Sequence, residues 1–269
     1  MGPTTTHKDA DEIEVKLRLP DADAAARARD ALLRGGPHAR PCAVRATLAQ
    51  ENYFFDGQGG ELGAQRCVLR LRFAASDASD AEETATLTLK GQQVLEGGIG
   101  VAREVEAALP DARAARRYVD APRLLVEEVL LAEGRGGGAP EGGGGAAEVL
   151  RALEATEHGR AALARLRCLG GFKNVRREVP WSFFLPPSGA GGGGGGGGGD
   201  PPRTESALVE LDETRYDWGT VYELEAEAAG AEAAARLRDA LERALADAGV
   251  PFSRSTASKF RNFVRRTLE

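Results

Sequence analysis

The chain has 269 residues, of which 42% are apolar and 28% charged, and its formal net charge at pH 7 is -6. This length allows a sizeable core, and a closed barrel of this size is commonly one domain. The acidic balance argues against binding of nucleic acid through bulk positive charge, which requires a basic surface excess. Any polyanion must therefore be bound by local clusters of arginine and lysine.

The cysteine usage and the hydropathy of the chain indicate a compartment. Cys42, Cys67 and Cys168 lie far apart, form no CxxC pair and have no nearby histidine, so they predict no zinc site and fit a reducing cytosol. No apolar run approaches the roughly 20 residues of a membrane helix, and the first ten residues lack the apolar segment of a signal peptide. We therefore expect a cytoplasmic protein with no membrane partner.

Two glycine-rich segments interrupt the chain, at about residues 134–146 and 186–203. Neither can bury enough apolar surface to order itself, so both are predicted to be disordered insertions. A phosphate-binding loop needs a few placed glycines between a strand and a helix, which a homopolymeric run does not provide. We expect residues 1–10 to be a flexible tail and residues 11–269 to form a single domain around these insertions.

Period-two alternation predicts eight β-strands, and helical spacing predicts four helices. The predicted strands, in chain order, are residues 12–19, 48–55, 67–73, 84–90, 101–109, 172–183, 207–214 and 220–228. The predicted helices are residues 21–33, 146–166, 231–248 and 255–268. This pattern is typical of an α+β protein, most simply a closed eight-stranded antiparallel β-barrel with helices packed outside.

The predicted strands each have one apolar face and one polar or ionic face. In the first strand, alternation puts Glu12, Glu14, Lys16 and Arg18 on the same face. An ordinary barrel would turn such faces to solvent, and for any single strand this is the simpler interpretation. The outer helices, however, need an apolar barrel wall for their own apolar stripes, which turns the ionic faces inward. Because buried charges must be paired, hydrated or bound, a tunnel lined by both signs predicts a ligand.

A linear triphosphate fits such a tunnel. Arginine binds phosphate oxygens bidentately, and lysine contributes compact positive charge. Carboxylates would repel phosphate directly, but they become useful if they hold Mg²⁺ or Mn²⁺, which contacts phosphate oxygens and lowers the pKa of a bound water. The expected reaction is in-line attack by that water, with the positive groups stabilising charge on the leaving pyrophosphate.

Ordered motifs along nearly the whole chain resemble those of the triphosphate tunnel metalloenzymes, also called the CYTH superfamily. The opening EIEVK has the ExExK form of that family, and it is followed in the expected order by ENYFFD, LRLR, TLK, REVE, LDETRYDWG, YELE and SKF. CLGGFKNVRREVPW at residues 168–181 and PFSRSTASKF at residues 251–260 are similar to plant-type inorganic tripolyphosphatases in particular. The resemblance implies an eight-stranded tunnel, a C-terminal plug helix, two divalent metal sites and hydrolysis of tripolyphosphate to pyrophosphate and phosphate.

The resemblance also implies roles for individual charged residues. The expected metal ligands are Glu12, Glu14, Glu104, Glu106, Asp212, Glu223 and Glu225. The expected substrate-binding residues are Lys16, Arg70, Arg72, Lys90, Arg176 and Lys259, the last of which reaches the tunnel from the terminal helix. The residues expected to act in catalysis are Glu12, Glu14 and Lys90. Arg176 is preferred over Arg177 on this similarity alone, and Glu210 and Glu227 are interpreted as strand-end charges.

Other functions stay open at this stage. The main rival is thiamine triphosphatase. Its animal members carry a tryptophan just before the LRxR residues, which is suited to stacking on a cationic ring. This chain has Val68 at that position, which disfavours this function without excluding it. Nucleoside triphosphatase or adenylyl cyclase activity would require a nucleoside pocket that the sequence does not show. RNA 5′-triphosphatase activity would be helped by a basic surface, which the acidic balance of this chain disfavours. A non-catalytic polyphosphate or nucleotide sensor and a glycine-loop scaffold are the alternatives from other classes. We expect a small-molecule triphosphate partner and no nucleic acid, and a monomer is favoured.

Overall fold

The structure, a computed structural model, describes residues 8–37, 39–78, 81–134, 144–185 and 203–269. Residues 8–10 of the predicted tail already belong to a strand, and the rest of the tail lies outside the described residues. Most of the two predicted glycine-rich insertions, at about 134–146 and 186–203, also lies outside them.

In the described residues, ten strands form a single antiparallel sheet, and eight of them close into a barrel. The strands are β1 (Lys8–Leu19), β2 (Ala46–Gly57), β3 (Val68–Ser76), β4 (Thr84–Lys90), β5 (Val94–Glu96), β6 (Ile99–Leu109), β7 (Leu166–Phe184), β8 (Thr204–Tyr216), β9 (Gly219–Ala228) and β10 (Ser253–Arg254). The ring runs β1-β9-β8-β7-β2-β3-β4-β6 and closes where β6 pairs with β1. The predicted eight-stranded antiparallel barrel is confirmed, and β5 and β10 are short additions at its edge.

Helices pack outside this barrel and at one of its ends. They are α1 (Ala22–Arg34), α2 (Glu61–Ala64), α3 (Ala112–Ala115), α4 (Arg117–Asp120), α5 (Pro122–Gly134), α6 (Gly144–Glu154), α7 (Gly159–Ala164), α8 (Ala231–Asp247) and α9 (Lys259–Arg265). The predicted helices at 21–33 and 231–248 correspond to α1 and α8. Within the described ranges, none of the helices combines the length and apolarity needed to span a lipid bilayer.

Two helix predictions are wrong in extent. Residues 146–166 do not form one helix, because the chain turns after α6 and brings Gly159 against Leu153, where a Cβ atom would lie 1.8 Å from the Leu153 carbonyl oxygen. Residues 255–268 contain only the short α9. That helix begins late because the Ser258 side chain accepts a hydrogen bond from the Arg261 backbone N–H at 3.2 Å, which is a helix N-cap.

The outer surface of the barrel is apolar and is covered by helices in two cores. On one side, Leu237 and Leu241 of α8 join the core of β1 and β9, which includes Val15, Leu17 and Leu224. On the other side, α3 to α7 cover the outer faces of β3, β4 and β6. Because successive side chains in a strand point to opposite faces, this arrangement turns the charged side chains toward the barrel interior. The packing of the helices thus creates the ionic tunnel.

A third apolar cluster closes one end of the barrel. Phe54 of β2 and Phe172 of β7 contact Phe260 and Phe263 of α9, with ring centroids of Phe54 and Phe260 4.8 Å apart. The Tyr216 hydroxyl donates to the Lys259 backbone carbonyl at 2.9 Å. These contacts hold α9 across the end of the barrel as the predicted C-terminal plug.

Candidate active site

The barrel encloses a cavity of about 770 Å³ that receives side chains from all eight barrel strands and from α9. Its lining includes these predicted site residues: Glu12, Glu14, Lys16, Arg70, Arg72, Lys90, Glu104, Glu106, Arg176, Glu225 and Lys259. Two further predicted residues, Asp212 and Glu223, do not line the cavity. Their carboxylates lie behind the charged groups of Arg176 and Lys259 and are fully buried. The structure therefore brings the two signs of charge together in one space.

Lys16 connects two carboxylates at the centre of the cavity. Its Nζ atom lies 2.6 Å from Glu225 Oε1 and 2.9 Å from Glu14 Oε1. The short approach to Glu225 follows from the register of β1 and β9, which places the two residues opposite each other. Burial alone would lower the pKa of Lys16, but the charges of Glu14, Glu225 and Glu223 outweigh it and raise the pKa well above its ordinary value. Lys16 is therefore a fixed positive charge at neutral pH.

Lys90 is surrounded by a second set of carboxylates. Its Nζ atom donates a hydrogen bond to Glu12 Oε2, and it lies 3.4 Å from both Glu14 Oε1 and Glu104 Oε2. Burial would lower its pKa, yet the charges of Glu14 and Glu12 raise it. Gln93, next to β5, fixes the other side of Glu14 by donating to Oε1 at 3.0 Å. A cation is thus held among three glutamates on the cavity wall.

Lys259 enters the tunnel from the plug helix. Its Nζ atom lies 2.5 Å from Glu225 Oε1, 2.8 Å from Asp212 Oδ2 and 3.4 Å from Glu223 Oε2. Burial would lower the pKa of Lys259, but these carboxylates raise it well above its ordinary value. The three acids therefore position a lysine that comes from outside the barrel strands, and they couple the plug to the tunnel.

Arg176 of β7 contacts three carboxylates in the cavity. Its Nε and Nη2 atoms bind Asp212 in a bidentate manner at 2.8 and 2.6 Å, and Nη2 also lies 3.0 Å from Glu225 Oε2. Burial is more than offset by Asp212 and Glu210, so the pKa of Arg176 is well above its ordinary value. Arg177, the alternative considered from the sequence, is not among the cavity-lining residues.

Arg70 and Arg72 of β3 have looser partners than Arg176. The Nη2 atom of Arg70 donates to Thr88 at 3.2 Å and lies 3.6 Å from Glu104, and Arg72 Nη2 lies 3.4 Å from Glu106. Burial and the charge of Arg70 lower the pKa of Arg72 to about 10, which leaves the guanidinium protonated at neutral pH. These long contacts leave donor capacity that an anion in the cavity can use.

Glu210, Glu227 and Arg18 belong to the charged residues of the tunnel that the sequence did not assign to the site, and Glu227, interpreted as a strand-end charge, lines the cavity. Glu210 is not a strand-end charge, because it lines the cavity and lies 2.5 Å from Arg176 Nη1. Arg18 points to the same interior, 3.7 Å from Glu223 Oε1, and its buried Nη1 and Nη2 atoms have no hydrogen-bond partner among the described residues. The alternation of β1 and β8 had already placed Arg18 and Glu210 on the ionic face. No local pattern indicates that these two side chains are buried inside the barrel.

The protonation of Glu210 makes the stability of the fold depend on pH. Burial, together with Asp212 and Glu225, raises the pKa of Glu210 from 4.5 to about 7 against the lowering effect of Arg176. Because the folded pKa exceeds the unfolded one, the stabilisation is present at low pH and is lost as pH rises through 7. Glu210→Gln mimics the protonated form. When the pH is raised from 5 to 8, we expect the free energy of unfolding of this variant to increase by roughly 2 kcal/mol relative to that of wild type.

This prediction can be tested by urea unfolding of both proteins at the two pH values in buffer containing EDTA. The comparison is the change in their stability difference, so any pH effect common to both proteins cancels. A difference that is constant with pH would contradict the prediction.

The carboxylates of the cavity have the donor chemistry that hard divalent cations prefer. Glu12, Glu14 and Glu104 all approach one cation, the Lys90 ammonium group, so the space between them accepts positive charge. In the part of the chain that the structure describes, no three acidic, histidine or cysteine side chains are arranged to hold a metal ion directly. The donors therefore fit a divalent metal in their chemistry, while their described positions are arranged around the Lys90 ammonium group.

A closed antiparallel barrel with a cavity lined by basic and acidic groups defines the class of charged tunnel proteins. A family model, the CYTH domain, matches residues 10–252, and the chain belongs to this family.

Solved structures agree with this assignment. The putative adenylyl cyclase HpAC1 from Hippeastrum, for which a dominant triphosphatase activity is described, is 28% identical, with a TM-score of 0.65 over 96% of this chain and 97% of that chain. A putative adenylate cyclase from Bacillus halodurans is 19% identical, with a TM-score of 0.52 over 94% of this chain and 98% of that chain, which shows the fold alone. No match was found among curated proteins.

Proposed function

We propose that this protein is an inorganic triphosphatase that hydrolyses tripolyphosphate to pyrophosphate and phosphate inside the barrel. The observation that carries the proposal is the cavity itself, where strongly basic groups and carboxylates alternate around one space. A pure anion-binding protein would gain nothing from so many acids, because they repel its ligand. The 28% identity to a protein with dominant triphosphatase activity supports the same reaction.

The basic residues of the cavity would bind and orient the phosphate chain. Arg70 and Arg72, whose contacts with Glu104 and Glu106 are 3.6 and 3.4 Å long, are placed to bind phosphate oxygens, with Lys16 and Lys90 adding compact charge across the cavity. Arg176 and Lys259 are already held by several acids. They would stabilise negative charge that develops on the leaving group without having to reorganise.

The carboxylates of the cavity would hold the divalent metal that we propose as the cofactor. Glu12, Glu14 and Glu104 form one part of the set and Glu225 the other, and Lys16 lies between Glu14 and Glu225. When bound, Mg²⁺ or Mn²⁺ supplies charge neutralisation on phosphate oxygens and activation of the attacking water. Asp212 and Glu223 lie deeper, and we assign them first to the positioning of Arg176 and Lys259.

The choice of an inorganic substrate depends on the aromatic side chains of the cavity. Phe54, Phe172 and Phe260 line it, but they pack against one another in the cluster beneath the plug. Val68 also lines the cavity and packs against this cluster. The described lining therefore offers no free ring for stacking on a base or a thiazolium, which argues against ATP and thiamine triphosphate as preferred substrates.

A phosphate-release assay on the purified full chain tests this function. Tripolyphosphate, ATP and thiamine triphosphate are supplied separately with Mg²⁺, Mn²⁺ or EDTA. We expect turnover that requires a divalent metal and is fastest on tripolyphosphate. Faster turnover of either organic triphosphate would replace the substrate assignment, and tight binding without turnover would identify a sensor instead of an enzyme.

A further inference from the structure

The cavity continues beyond the barrel interior along the exposed side of α9. Its outer wall is formed by the chain between α2 and β3, by the start of β5 and by α9. The basic residues that line this outer part, which we call the mouth arginines, are Arg66, Arg261 and Arg265. All three are solvent-exposed. The binding surface is therefore longer than the ring of charged residues inside the barrel.

The mouth arginines differ from the interior ones in their partners. Within the described ranges, the side chains of Arg66 and Arg265 make no hydrogen bond or ion pair. Arg261 donates to the Thr256 carbonyl at 3.2 Å and lies 3.6 Å from Glu269. Arg176, by contrast, contacts three carboxylates. Positive charge at the mouth is thus available for a ligand.

Arg66 is held at this position by a constrained loop. Its φ of 56° lies in the left-handed region, which is unfavourable for a residue with a side chain. Its backbone N–H donates to the Gly63 carbonyl at 3.1 Å. The buried Asp56 carboxylate fixes the same loop by accepting from the Leu62 and Gly63 backbone N–H groups at 2.8 and 3.1 Å. The loop geometry therefore presents Arg66 to the cavity at a conformational cost.

We propose that the mouth arginines form an outer anion subsite, which binds the phosphate groups of a linear polyphosphate beyond the third. The inference rests on the proposed function, because that function places the first three phosphates inside the barrel. The interior ring and the mouth arginines line one continuous cavity of about 770 Å³, so a single linear ligand can contact both. The guanidinium groups of Arg66 and Arg265, which have no carboxylate partner among the described residues, are suited to phosphate oxygens.

Binding measurements with two chain lengths test the subsite. Tripolyphosphate and tetrapolyphosphate are titrated by calorimetry into wild type, Arg66→Gln/Arg265→Gln and the control Arg160→Gln, in buffer without divalent metal. Arg160 is also exposed but is not among the residues that line the cavity. We expect the double variant to lose about tenfold in affinity for tetrapolyphosphate and less than about twofold for tripolyphosphate. The control should change neither affinity.

The outcomes separate the subsite from the proposed function. An equal loss for both chain lengths, or no loss for tetrapolyphosphate, overturns the subsite. Selective loss for tetrapolyphosphate in a protein that hydrolyses neither chain supports the subsite while the enzymatic function fails. Hydrolysis of tripolyphosphate with unchanged tetrapolyphosphate binding leaves the function standing and removes the subsite.

Discussion

Lys16→Met is expected to abolish turnover and to lower the free energy of unfolding by roughly 3 kcal/mol. The substitution keeps the length of the side chain but removes the charge between Glu14 and Glu225, both of which are buried. Breaking a buried ion pair is costly because it leaves an uncompensated charge. The expected loss is at the low end of the usual range, since Lys90 still contacts Glu14 and Lys259 still contacts Glu225.

A second variant separates the loss of turnover from the loss of stability. Lys16→Met/Glu225→Gln removes one of the two buried carboxylate charges that lose Lys16 as a partner, so it should recover part of the unfolding free energy in urea titrations. It should not recover phosphate release from tripolyphosphate, because the phosphate-binding charge is still missing and Glu225, which we assign to metal binding, is also changed. Wild-type turnover in the single variant would show that Lys16 serves the fold and not the reaction.

Glu12→Gln/Glu14→Gln is expected to lower the turnover of tripolyphosphate by roughly a hundred- to a thousandfold while leaving the fold intact. Glutamine keeps the shape of both side chains and can still accept a hydrogen bond from Lys90, whose third partner, Glu104, is unchanged. What is lost is the pair of negative charges that we assign to metal binding. The dependence of the residual rate on Mg²⁺ or Mn²⁺ concentration should shift to higher concentration.

The matched control for this variant is Glu213→Gln. Glu213 lies on β8 but outside the cavity, where it pairs with Arg215 at 2.6 Å. The substitution Glu213→Gln removes a strand carboxylate of the same kind outside the tunnel, and it should leave turnover and metal dependence unchanged. Equal activity of the double variant and this control would contradict the assignment of Glu12 and Glu14.

The strands of the barrel were predictable because each has an apolar face that the helices cover. All eight predicted strands are present, but β7 begins at Leu166 and not at residue 172. Glycine is a poor strand residue, and the pair Gly170 and Gly171 obscured this extension. In the structure a Cβ atom at Gly171 would lie 1.8 Å from the Asn52 carbonyl oxygen, so glycine is what allows β2 and β7 to pair closely.

The helix α5 was not predicted from the sequence, although Pro122 opens it at a position where proline is favoured.

The sequence predicts which face of each strand carries the site residues, but not which of these residues contact one another. Alternation assigns a side chain to the inside or the outside, whereas register decides which charges meet across two strands. The pairing of Lys16 with Glu225 depends on the register of β1 and β9, which no local pattern encodes. The depth of a residue is also a tertiary property. Asp212 has the same parity as Glu210, yet only Glu210 lines the cavity.

The closure of the barrel also determines when the site can form during folding. β1 pairs on both edges with later strands, and the hydrogen bond from Lys16 to Glu225 spans 209 residues. Such non-local pairing is slow, because the chain loses the entropy of a long loop before the contacts that offset this loss have formed. While the chain is being synthesised, Lys16 of β1 cannot meet Glu225 until β9 has emerged. The appearance of activity during refolding would therefore report the joining of the first and last barrel strands.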